Sequence, residues 1–204
     1  MEQGHSLNIS YKTAEALITL QHRDKETQLH CERVANIAVQ AGVLIGLDDE
    51  LLYQLETAAL FHDIGELGVP NEILLNQKNL SDSQRELMNS HTLIGANIAE
   101  KLDIPDPHKV AEIIRHHHEY YDGSGYPYGL KGERIPLASR IIGIIDSFDT
   151  LTSHHSSHNL ISTEKTLSMM AEKMIHLFDP HVFDIVAKVL KDAASSIVKS
   201  EIIE

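Results

Sequence analysis

The sequence predicts an all-α fold, a bundle of helices interrupted by one irregular loop. Three observations carry this. Apolar residues recur at three- and four-residue spacings along most of the chain. Helix-opening residues stand before several of these segments, and glycine or proline closes them. The one long stretch without such spacing, residues 121–137, is rich in Gly, Pro and Tyr.

Taken in order, residues 1–20 read as an N-terminal extension, a leading helix loosely attached to a single domain over 21–204. Residues 26–46 carry Leu29, Val34, Ile37, Ala38, Ala41 and Leu44 at helical spacings and stop at Gly46. Residues 49–61 form a second helix, ended by Gly65, Gly68 and Pro70 within HDIGELGVP. Ser81 and Asp82 open a helix over 82–101, closed by IPDP at 104–107. Residues 107–120 make another. Residues 138–152, ASRIIGIIDSFDTLT, have the β-branching of a strand. Their length and the Asp146/Asp149 spacing favour a buried helix. Ser162-Thr163 caps a helix to about 177, and 181–198 is the last. No repeat, low-complexity tract or long linker divides the chain.

The composition excludes several classes. At 204 residues, 42% hydrophobic and 23% charged, the chain suits one globular domain. No apolar run approaches the roughly 20 residues that span a bilayer, so no membrane span is expected. Residues 1–10 show no basic region followed by an apolar stretch, so no secretory signal is expected. The single cysteine, Cys31, cannot form an internal disulfide and suits a reducing cytoplasm. Thirty acidic against 17 basic residues leave a net charge of −13 and no basic stripe for duplex nucleic acid. Oligomeric state is not legible. Fourteen histidines are in excess, and histidine is the commonest metal ligand.

Histidine and carboxylate recur together. Glu26 and His30 are four apart on one helix, so they share a face: a solvated surface pair or two ligands. His62 and Asp63 are adjacent just before a glycine-containing helix end, a polar pair there or two ligands. His91 lies on a later helix, and His117 and His118 are adjacent near the end of another. Asp146 sits inside the apolar run IIGIIDSF, where an unpaired carboxylate is costly and a metal ion is a good partner. Adjacent His-Asp and His-His pairs suit a polynuclear site, because one carboxylate can bridge two cations while imidazoles fill the other positions. Two such cations activate water and clamp an in-line phosphoryl displacement. Histidine with carboxylate favours Fe, Mn, Ni or Zn over Mg or Ca, and the lack of a cysteine cluster argues against structural zinc.

These blocks resemble the HD-GYP phosphodiesterases, a branch of the HD metallohydrolase superfamily. The resemblance runs over about residues 24–190 through ETQLHCERV (26–34), HDIGELGVP (62–70), the helix to His91, HHEYYDGSGYPYGLKGERIP (117–136), RIIGIIDSFDTLTS (140–153) and FDP (178–180). It implies a helical HD-domain bundle with an irregular GYP loop. It implies hydrolysis of cyclic di-GMP to pGpG or GMP in bacterial signalling, at two or three divalent transition metals, Fe or Mn first and Ni or Zn next. By motif, the implied ligands are Glu26, His30, His62, Asp63, His91, His117, His118 and Asp146. Asp63 would bridge, and Glu26 would serve a third ion. Gly125-Tyr126-Pro127 of the GYP loop would line the substrate. Tyr120, Tyr121, Tyr126 and Tyr128 either stack on a guanine or pack the loop.

Two departures stand out. The family usually reads HDIGK, and here the last position is Glu66. Glu66 either points outward or contacts a metal, water or substrate. It is therefore carried with Asp63 as a candidate catalytic residue. After DTLTS the family usually continues with a basic stretch. Here stand His154, His155, Ser156, Ser157 and His158, and His155 and His158 are the candidate substitutes for its cations. Two alternatives follow. The same metal core could act on another cyclic dinucleotide or a phosphomonoester. The domain could instead bind a nucleotide or a protein partner through the GYP loop.

Overall fold

The computed structural model describes residues 25–76, 79–153 and 162–201. The extension over 1–20, and His155 and His158, lie outside the described residues. Nine α-helices and three 3-10 turns make up the described chain, with no strand among these residues. In order these are α1 (Lys25–Ile45), α2 (Asp49–Phe61), a 3-10 turn (Ile64–Gly68), α3 (Asn71–Leu74), α4 (Asp82–Asn89) and α5 (His91–Ala99). Then come α6 (Pro107–Arg115), a 3-10 turn (Gly132–Arg134), α7 (Leu137–Ser153), α8 (Thr163–Lys173), a 3-10 turn (Ile175–Leu177) and α9 (Pro180–Glu201). The apolar run at 138–152 is thus the helix α7.

The caps expected at Ser81 and Ser162 are in place, and Asp48 adds one that was not expected. Asp48 accepts the Leu51 N–H at the start of α2. Ser81 and Gln84 form a capping box on α4, and Ser162 accepts the Lys165 N–H on α8. One core joins α1, α2, α6, α7 and α9 through Val34, Ala38, Leu55, Phe61, Ile114, Ile141, Ile145 and Val186, all at most 1% exposed. α1 is the centre of this arrangement, packed against α2, α7 and α9. No helix among the described residues is long and apolar enough to cross a membrane.

The structure corrects three boundaries and one stripe. The helix expected over 82–101 is two helices, broken at Ser90, whose hydroxyl donates to the Leu87 carbonyl. The helix expected over 107–120 stops at Arg115, so His116, His117 and His118 lie in the turn beyond it. The helix expected to 177 ends at Lys173 and continues as a 3-10 turn. Leu29 and Leu44 fall outside the buried stripe of α1, at 37% and 52% exposure, because that stripe is Cys31, Val34, Ala35, Ala38, Ala41 and Gly42.

Candidate metal centre

The three boundary features that place histidines share one physical cause. A helix leaves its last four carbonyls without intrahelical partners. At the end of α2 the His62 ring Nδ1–H donates to the Ala59 carbonyl at 2.8 Å. At the end of α4 His91 Nδ1–H donates to the Met88 carbonyl at 2.8 Å, and at the end of α6 His117 Nδ1–H donates to the Ile114 carbonyl at 2.6 Å. Each ring therefore closes a helix, and since a carbonyl only accepts, each Nδ1 carries the proton. The other nitrogen, Nε2, is aimed away from the helix end and offers a lone pair whenever the ring is neutral.

Those lone pairs converge. His91 Nε2 and His117 Nε2 stand 3.4 Å apart. His30, from α1, brings its Nε2 to 3.2 Å from His62 Nε2, while its Nδ1 contacts Asp149 Oδ2 at 2.7 Å. Facing lone pairs at such distances repel unless a proton or a cation lies between them. Asp63, on the residue after His62, joins the two pairs. Its Oδ2 is 3.2 Å from His62 Nε2 and 3.7 Å from His30 Nε2. Its Oδ1 is 3.7 Å from His91 Nε2 and 4.0 Å from His117 Nε2. Asp146, from α7, lies 3.2 Å from His30 Nε2 and 4.0 Å from His118 Nδ1. Two groups result, each compact enough to hold an ion: His30, His62 and Asp146, and Asp63, His91, His117 and His118. The donor set fits transition metals: imidazole lone pairs fixed by their second nitrogens, and a carboxylate with one oxygen toward each group.

Glycines allow the approach. A Cβ at Gly65, beside Asp63, would stand 1.8 Å from the His91 carbonyl oxygen and 2.5 Å from the Gly95 nitrogen. Its motif position is thus a backbone contact, beyond the helix-ending role expected from sequence. A Cβ at Gly125 would stand 2.4 Å from the His118 carbonyl oxygen and 2.3 Å from the Tyr120 nitrogen. That contact seats the loop on the histidine turn, and the Tyr126 ring packs on His118 with centroids 4.9 Å apart. Pro127 follows through a cis peptide.

The electrostatics divide the cluster. Burial pulls the His30 pKa down, but Asp146 and Asp149 outweigh it and raise the group to about 10. Burial likewise opposes charge on His62, yet Asp63 holds it well above the ordinary value. The Asp63 carboxyl is pressed upward by burial and held far below its ordinary range by His62, His91 and His30. His117 and His118 go the other way. Burial and neighbouring imidazoles lower both, His118 to about 3. Burial, then Tyr120, Asp63, Asp146 and Glu66, push the Tyr126 hydroxyl up, so it remains an O–H donor.

Of the residues marked from sequence, His30, His62, Asp63, His91, His117, His118 and Asp146 come together, with Gly125 and Tyr126 against them. Glu26 stands exposed in the first turn of α1, outside both groups. Glu66 is half-buried in the turn after Asp63, near enough to act on Tyr126. Three functional side chains had no role assigned from sequence. Asp149 holds His30 and is itself clamped by Arg33, whose Nε and Nη2 each donate at 2.7 Å. Its position three residues after Asp146 on a helix was the available signal. Glu119, 5% exposed, accepts the Tyr128 and Leu130 N–H groups at 2.8 and 2.9 Å and so shapes the loop.

Comparison with known proteins gives the family and the fold. A family model described as "HD domain" matches residues 12–182. A cyclic di-GMP phosphodiesterase of Thermotoga maritima is 34% identical over 172 residues, which cover 84% of this chain and 47% of that protein. The 3'3'-cGAMP-specific phosphodiesterase 3 of Vibrio cholerae is 35% identical over 162 residues, 79% of this chain and 35% of that protein. The chain thus spans less than half the length of these relatives. Among solved structures, the HD domain of the L. monocytogenes phosphodiesterase PgpH superposes with a TM-score of 0.63 at 19% identity. The superposition covers 90% of this chain and 98% of that one, and it establishes the shared fold.

Proposed function

The chain belongs to the HD domain family, and from that premise we propose that it is a metal-dependent phosphodiesterase acting on a cyclic dinucleotide, with cyclic di-GMP as the first candidate. The observation that carries the proposal is Asp63, whose two oxygens face two separate histidine groups. His30, His62, Asp63 and Asp146 would hold one divalent ion, and Asp63, His91, His117 and His118 a second. Fe or Mn suits this imidazole–carboxylate set, with Ni or Zn next. Glu26, exposed one turn before His30 on α1, is the carboxylate that would serve a third ion. When bound, such ions supply positive charge that lowers the pKa of water and neutralises charge developing on phosphate.

The chain's own residues do the rest. The Nδ1 contacts fix each ring so that its Nε2 stays a donor to the ion. The Gly125-Tyr126-Pro127 loop forms the wall beside His118, and the Tyr126 O–H is held protonated, able to donate to a phosphate oxygen. Glu66 adds a carboxylate near that hydroxyl where it can orient water or a substrate amine. It also subtracts charge from a site that must attract an anion, which favours weaker binding than a cation there would give. Relatives named for cyclic di-GMP and for 3'3'-cGAMP are similar to this chain to the same degree, so both nucleotides belong in the test.

That test is anaerobic turnover of both cyclic dinucleotides by protein loaded with Fe(II) or Mn(II), with bound metal counted on the same sample. Linear product with two or three ions bound is expected. Full metal occupancy without product from either nucleotide overturns the reading.

A further inference from the structure

Cys31 is the chain's single cysteine and is 2% exposed on the core-facing stripe of α1. A small apolar residue would serve the packing there. Yet its sulfur, a His62 nitrogen and an Asp63 oxygen all lie within 4.8 Å of one another, a third group whose sulfur neither ion position described above uses. His62 is fully buried and Asp63 is the carboxylate that joins the two histidine groups.

We propose that Cys31 is a sulfur ligand that selects among metals: a thiophilic divalent ion such as Zn2+, Co2+ or Cd2+ is held by Cys31, His62 and Asp63, whereas Mn2+ is held by nitrogen and oxygen alone. This rests on the reading of the cluster as a metal centre. Thiolate prefers softer ions, and carboxylate with water prefers Mn and Mg. Binding exchanges the thiol proton for the ion. The S–H bond breaks, the S–metal bond forms, the proton leaves to solvent, and no electron is transferred. His62 and Asp63 are shared with the nitrogen–oxygen site, so the two modes compete. A thiophilic ion drawn toward Cys31 displaces the ion that Asp63 would otherwise bridge. Cys31 therefore sets which metals the centre accepts and makes it sensitive to zinc.

The experiment is Co(II) titration of the metal-free protein, followed by absorption, with Zn2+ and Mn2+ affinities measured by competition. The wild type is expected to show both visible d–d bands and a near-ultraviolet thiolate-to-Co(II) charge-transfer band. Cys31→Ser and Cys31→Ala are expected to keep the d–d bands and lose the charge-transfer band. Both are expected to weaken Zn2+ by about tenfold or more while leaving Mn2+ unchanged. Two variants guard against a folding defect in one, and the wild-type spectrum needs neither. Strong d–d bands without charge transfer, with an unchanged Zn2+ to Mn2+ ratio in the variants, overturn the role of Cys31 and leave the metal centre standing. Absence of any d–d band overturns both, because no Co(II) is bound.

Discussion

On the α1 side of the centre, His30 faces three carboxylates: Asp149 at 2.7 Å, Asp146 at 3.2 Å and Asp63 at 3.7 Å. On the α5 side, His117 and His118 face each other and His91, and each has one carboxylate oxygen at 4.0 Å, from Asp63 for His117 and from Asp146 for His118. The residue type is the same and the depth is similar, but the protons sit differently. The first side keeps a charged imidazole in the metal-free protein, and the second keeps neutral ones. The supports differ too. His91 and His117 are oriented by neutral backbone carbonyls, whereas His30 is oriented by a charged Asp149–Arg33 pair. The number of carboxylates around an imidazole, more than its burial, decides whether it waits for an ion empty or occupied by a proton.

The largest effect separates a shared ligand from a one-sided support. Asp63→Ala removes an oxygen from both groups, and turnover is expected to fall by about 10³-fold or more, the scale of several kcal/mol of lost electrostatic stabilisation. Both ions should be lost in metal counting on that variant. Asp149→Asn leaves every proposed ligand in place but takes the charge from behind His30. Binding on the α1 side should weaken about 10–100-fold while the α5 side keeps its ion. Metal counting after dialysis against buffered Mn2+ checks this, and equal loss of both ions would break the comparison.

The next effect tests the backbone contact. Gly65→Ala sets a methyl against the His91 carbonyl and the Gly95 nitrogen, neither of which can swing aside. A destabilisation of about 1–3 kcal/mol is expected, read by urea unfolding of the metal-free protein, with the α5 side losing affinity first. A last effect is in pH. His30 titrates at about 10 in the metal-free protein, so near neutrality an ion there must displace a proton. His62, the second imidazole on that side, is also held charged by Asp63, so affinity there should rise more steeply than about tenfold per pH unit near neutrality and level off once both rings are neutral. His118, at about 3, is already neutral, so binding on its side should be flat over the same range. Calorimetry in buffers of different ionisation enthalpy checks this: the ion on the α1 side should release protons and the other none. Equal release from both would remove the distinction.

The amino-acid sequence alone determined the helices, most of their caps and the chemical identity of the cluster. Periodicity, Ser81 and Ser162, and a carboxylate inside IIGIIDSF are local facts that hold whatever the rest of the chain does. The tertiary structure decided where the helices before His91 and His117 stop, because those rings, like His62 at the end already expected at 61, close helix ends and aim their second nitrogens inward. It decided that Asp149 supports His30 across 119 residues, clamped by Arg33 across 116. It also decided that Gly65 and Gly125 are points of backbone contact, and that Cys31 lies beside His62 and Asp63. Periodicity reports which face of a helix is buried. What that face meets is fixed only when α1, α2 and α7 pack together, since contact between distant segments depends on the packing of the whole core.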